Sequence, residues 1–129
     1  MSEATASAES PTRRRSRRAL SGLLCFMGTV HFLVPRPFDR LIPKWVPGAP
    51  RFWTYASGAA ELASGLLVSQ PRTRRLGAAL AAATIVGVYP ANVQMALDNP
   101  PRTVWGIGAW LRLPMQLPLI GWALSHTRR

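Results

Sequence analysis

His31, Glu61, Asn92, Arg112 and Gln116 are the chemically conspicuous residues of this chain, because each is a strongly polar side chain set in an otherwise apolar stretch. Such a placement is costly unless the group is paired, hydrogen-bonded or neutralised. Arg112 is the most demanding, being the one formal charge between Thr103 and Thr127. A guanidinium keeps its proton, so in an apolar setting the protein itself must supply the acceptor. Glu61, inside the stretch Trp53 to Ser69, is the matching acid. Alone in such a place, it would hold its proton instead. The expected arrangement is therefore a Glu61–Arg112 pair, which serves equally as a structural strut or as a proton-exchanging centre. Gln116 follows Arg112 by one helical turn and shares its face. His31 is expected as a hydrogen-bonding or proton-accepting group, or as a satisfied interfacial histidine. The second imidazole, His126, belongs near the opposite face, which argues against a bis-histidine haem within one chain. Asn92 and Gln94 are expected to bond between helices. The chain holds no nucleophile–base–acid set, no glycine-rich phosphate loop and no metal-ligand spacing, so no metal is expected and no catalytic residue is assigned.

The elements that must carry these groups are helical. From Leu76 to Leu97 there are 22 residues without a charge, enough to cross roughly 30 Å of hydrocarbon at ~1.5 Å per residue. Similar reasoning places four membrane spans at about 19–35, 53–69, 76–97 and 104–124. Ser57, Glu61 and Gly65 recur every fourth residue in the second, with Ala60 and Ser64 alongside, a small-residue face that lets helices approach closely. Pro90, Pro114 and Pro118 lie within the later two, and a kink is expected at Pro90. Between the first and second, the proline-rich stretch 36–51 excludes a regular helix. Its aromatic residues interleave with Arg40, Lys44 and Arg51, which places it at an interface. Residues 1–18 form an expected disordered basic tail ending in Arg13-Arg14-Arg15-Ser16-Arg17-Arg18, and 126–129 a basic end.

One domain is all that 129 residues allow. Sixteen Lys and Arg face five acids, for a net charge of +11, a balance that fits nucleic acid, anionic lipid or the cytoplasmic rims of membrane helices. Beside apolar segments a topology anchor is the simpler account of the basic block, and no nucleic-acid partner is expected. Counting cations on alternate loops puts ten on the side of both termini and five on the other, with Arg112 between; both termini are then cytoplasmic. The expected fold is an all-α, four-helix transmembrane bundle, multi-pass in the cell inner membrane. The single cysteine, Cys25, excludes an internal disulfide and is expected as a small buried hydrophobe.

Several stretches match a known pattern when taken together: His31-Phe32 with Pro35 and Phe38, Ile42-Pro43, Pro47-Gly48, Tyr55, Ser57-Gly58, Glu61-Leu62, Pro90-Ala91-Asn92 with Met95-Ala96, Arg112-Leu113-Pro114 with Gln116, and Trp122-Ala123. Over residues 20–125 the chain resembles the DoxX-like family of small four-helix bacterial membrane proteins. The resemblance implies a redox-associated or quinone-contacting subunit without self-sufficient catalysis, surrounded by lipid and by other membrane or redox subunits, or by a second copy. On that reading Trp53, Tyr55 and Tyr89 are the ligand-binding candidates. The alternative is a small proton-coupled carrier that uses Glu61 as its titrating group.

Overall fold

A computed structural model describes residues 8–128. Among them are five helices and no strand: α1 (Pro11–Leu33), α2 (Pro35–Asp39), α3 (Pro50–Ser69), α4 (Arg74–Asp98) and α5 (Val104–Ser125). The four long helices match the four apolar stretches in order. The start of α1 is earlier than the sequence suggests. Ser10 caps it by accepting the Arg13 amide at 3.2 Å, and Pro11 stands where no backbone donor is needed. The arginine block is thus helical, and of the expected disordered tail only residues 1–7 lie outside the described residues. Residues 36–51 are not wholly irregular either. Pro35 and Pro37 both fall in the first turn of α2, where a missing N–H costs nothing. α4 continues as helix through Pro90, and α5 through Pro114 and Pro118.

α3 packs against α1 on one side and α4 on the other, and α4 in turn packs against α5. The small residues of α3 make this possible. A Cβ on Gly58 would lie 2.6 Å from the His31 Cβ, and one on Gly65 would lie 2.6 Å from the Cys25 sulfur. Close backbone approach is therefore enforced where α1 crosses α3. Ser21 adds a hydroxyl that donates to the Gly65 carbonyl at 2.7 Å. Toward the basic end of the bundle Leu20, Leu24, Val68, Ala78, Ala81, Ala82 and Ala123 form one core, and Met95, Ala96 and Ala109 a second. Six of these ten buried apolar residues are alanines, so little of the chain's large apolar surface is turned inward. Leu33, Leu66, Leu76, Val86, Leu97, Met115 and Leu117 all face outward.

The expectation of four membrane spans is overturned. Among the described residues one helix, α4, is long and apolar enough to cross a membrane. α1 carries five arginines through its first half, α3 includes Arg51 and Glu61, and α5 is interrupted by Arg112, Gln116 and two prolines. The four-span topology, and with it the assignment of both termini to the cytoplasm, does not stand. What remains is a helical bundle with one apolar helix of membrane-crossing length.

Candidate functional site

His31 and Glu61 meet where α1 crosses α3. The absence of a Cβ at Gly58 is what lets the imidazole sit there. Nδ1 of His31 lies 2.6 Å from the Met27 carbonyl and 3.4 Å from Glu61 Oε2. A carbonyl can only accept, so Nδ1 carries the ring proton and donates it to Met27. Glu61 Oε2 is then left buried without a hydrogen-bond partner. Phe38, on α2, stacks on the imidazole with ring centroids 3.8 Å apart and closes the site from above. The His31 side chain is 8% exposed and that of Glu61 22%. These values decide the electrostatics, because a carboxylate so placed has lost most of its hydration.

Burial pushes the Glu61 carboxyl up to about 7, against the opposing pull of the Arg112 charge. His31 moves the other way. Burial pulls its pKa below the usual histidine value, the Met27 carbonyl partly compensates, and Arg112 adds to the depression. Near neutral pH the pair is therefore a neutral imidazole beside a carboxyl poised between its two protonation states. Arg112, half-buried on α5, is itself held below its ordinary pKa by desolvation, while Glu61 acts to raise it. The direct Glu61–Arg112 ion pair expected from sequence is not formed: among the described residues the acid's close ionisable neighbour is His31, and Arg112 acts on both through its field.

The other expected site residues are dispersed. Asn92 is buried on α4, and among the described residues its side chain makes no hydrogen bond. Gln94 bonds within its own helix, donating to Asp98 at 3.0 Å rather than across to a neighbour. Gln116 is buried on α5 with Oε1 unpartnered. Trp53 donates to the Pro47 carbonyl at 2.7 Å and so folds the proline-rich segment back onto α3. Tyr55 stacks on Phe32 at 5.2 Å, with the Arg51 guanidinium 5.7 Å from its ring. Tyr89 lies half-buried on α4. A cleft of about 840 Å³ opens between the proline-rich segment and the α4–α5 turn, lined in part by Arg40, Lys44, Trp45, Asp98 and Trp105, and Glu61 is not among its lining residues.

Two residues to which the sequence assigned no site role position this end of the molecule. Asp39 accepts from the Thr54 hydroxyl at 2.6 Å and from Arg51 Nε at 2.9 Å, which ties α2 to α3 and holds Phe38 over His31. The Thr54 hydroxyl, followed by Arg51, keeps the Asp39 carboxyl below the ordinary range. The signal was an acid within a basic, proline-rich segment, twelve residues before an arginine, and nothing in that spacing reveals a contact. Phe38 is the other: an aromatic in a stretch expected to be irregular, which becomes a lid because α2 is helical.

Residues 20–127 match the family model described as Domain of unknown function (DUF8561), and the chain belongs to that family. No curated protein and no solved structure matches it.

Proposed function

We propose that this member of a family of unknown function is a membrane-associated accessory subunit of a redox assembly, in which Glu61 takes up and releases a proton beside His31. The observation that carries the reading is the unpartnered, buried Oε2 of Glu61, 3.4 Å from the His31 Nδ1 and on a carboxyl that titrates at about 7. A carboxyl poised near ambient pH exchanges protons with the least penalty in either direction. Glu61 is the proton-exchanging group; His31, being neutral and committed to the Met27 carbonyl, leaves the proton on the acid. Arg112 tunes both from a distance. The residue pattern resembling the DoxX-like family supports the redox association, and the apolar outer face of α4 supports seating in lipid. The expected lipophilic partner is a quinone, whose reduction consumes protons that a group such as Glu61 can relay. Trp53 and Tyr55, eight and six residues before Glu61 on α3, are the aromatic groups on offer to its ring.

The test is direct. The full chain is purified from membranes in mild detergent, extracted for quinones, and followed by infrared difference spectroscopy in the protonated-carboxyl region between pH 5 and 9. A carboxyl band lost with a midpoint near 7, absent from Glu61→Gln, together with a co-purifying quinone, is the expected result. A Glu61 that titrates in the ordinary carboxylate range removes the proton-exchange role, and absence of any quinone removes the redox assignment.

A further inference from the structure

The opposite end of the bundle, about 22 Å from His31 along α1, carries a second polar cluster that the proton site does not use. His126 is 1% exposed. Its Nε2 lies 2.9 Å from the Ser16 hydroxyl, and that hydroxyl also receives the Trp122 indole N–H at 2.8 Å. An indole nitrogen only donates, so the hydroxyl accepts from Trp122; among the described residues His126 Nε2 is the one acceptor within reach of its own hydrogen, which goes there. The imidazole proton is thereby fixed on Nδ1, and Nδ1 is buried with no hydrogen-bond partner. A buried N–H with nothing to accept it calls for an acceptor. His126 lines a cavity of about 250 Å³ together with Ser10, Thr12, Arg13, Ser16 and Ser125. Three of these, Ser10, Thr12 and Arg13, form the first turn and cap of α1, where the helix dipole favours negative charge; Ser10 already takes the Arg13 amide and Pro11 has none, which leaves the Thr12 amide.

We infer that this cavity is a binding site for a phosphoryl anion, held by His126 Nδ1–H, the Arg13 guanidinium, the Thr12 hydroxyl and the N-terminus of α1. Arg13 is already oriented there, with Nη2 donating to the Ser125 carbonyl at 3.4 Å and the Arg128 carbonyl at 2.5 Å. The nearby carboxylate, Glu9, does not serve as the anion, because Arg17 engages both its oxygens, at 2.8 and 3.1 Å. The local field is positive: burial and the charges of Arg13 and Arg74 keep His126 below its ordinary pKa, so the imidazole acts as a neutral donor. A tetrahedral anion with several acceptor oxygens suits a donor set of this kind, whereas a cation is repelled by it. The phosphoryl group can belong to a phosphomonoester lipid headgroup or to free phosphate.

Titration of the full-length protein with inorganic phosphate, followed by ¹⁵N NMR of the His126 ring, reads the site without requiring activity. The expected result is an Nδ1-protonated imidazole whose Nδ1 signal shifts on binding, with affinity falling at least tenfold in Arg13→Gln and in Ser16→Ala. Ser16→Ala keeps the cavity but releases the tautomer, so a loss there is not a folding defect if the amide spectrum is retained. In a parallel arm, flotation with phosphatidylcholine vesicles with and without phosphatidic acid identifies the source: phosphate response without selective flotation assigns a free anion, and flotation selective for phosphatidic acid assigns the headgroup. No Nδ1 shift with phosphate and no preference for phosphatidic acid would overturn the inference, as would binding unchanged in both variants.

Discussion

At the scale of single residues the molecule is governed by where charge loses water. Glu61 has an unfolded pKa of 4.5 and a folded pKa of about 7. Between these values the folded chain binds the extra proton, so stability falls as pH rises from 4.5 to 7 and is level above. The size is on the order of 3 kcal/mol for a shift of this extent. His31 has the reverse sign, since its depressed pKa costs stability as pH falls through the ordinary histidine range. Comparing wild type with Glu61→Gln cancels that contribution. Urea midpoints at pH 5 and pH 8 should therefore show Glu61→Gln gaining on wild type at the higher pH; equal differences at both would refute the buried acid. Arg112 lowers the Glu61 pKa at a distance, so Arg112→Gln should move the infrared midpoint of the carboxyl upward from about 7. An unchanged midpoint would mean that the two groups do not communicate.

At the scale of elements, glycine positions separate helices that touch from helices that face outward. A methyl added at Gly58 would meet the His31 Cβ at 2.6 Å, whereas one at Gly87 meets nothing within 4 Å. Gly87→Ala should stabilise by up to about 1 kcal/mol through helix propensity. Gly58→Ala should instead destabilise by about 1–2 kcal/mol, because crowding outweighs the same gain, and should displace the His31 ring resonances. Denaturation midpoints of the two variants check both signs. Asp39 is a strut between elements: its bonds to Thr54 and Arg51 hold α2 over the site. Asp39→Ala should speed proteolysis within residues 40–49 while leaving cleavage elsewhere unchanged, measured by limited digestion and mass spectrometry. It should also raise the His31 pKa toward the ordinary value as Phe38 lifts away.

The whole molecule pairs a thin, alanine-rich core with a broad apolar exterior, and this shapes where it resides. Leu76, Val86 and Leu97 project from α4, the helix of membrane-crossing length. A large contiguous apolar face marks a surface that meets lipid or another protein. Val86→Arg places a charge midway along that face, and at the centre of a lipid-embedded helix it costs about 2.5–3.5 kcal/mol. On the proposed seating in lipid, the variant should shift from the membrane fraction to the wash on carbonate extraction, with helical circular dichroism retained. Retention in the membrane would assign lipid contact to another face.

The order of helices was legible in the amino-acid sequence because apolar runs, prolines and basic clusters act locally. Pro35 and Pro71 mark boundaries wherever the chain folds, and Thr103 caps α5 through a bond only three residues long; the Ser10 cap, inside the stretch expected to be disordered, was not legible. Glu61 and His31 were also recognisable as groups that an apolar setting makes costly. Their pairing was not. Charge complementarity alone favoured Arg112, but the partner was selected by Gly58, whose missing side chain brings the imidazole of α1 to the carboxyl of α3 before any arginine reaches it. The lid formed by Phe38, the strut at Asp39 and the orphaned nitrogen of His126 were hidden for the same reason. Each depends on contacts between residues distant along the chain, and residue type fixes what a group needs while only the packing of helices decides which neighbour supplies it.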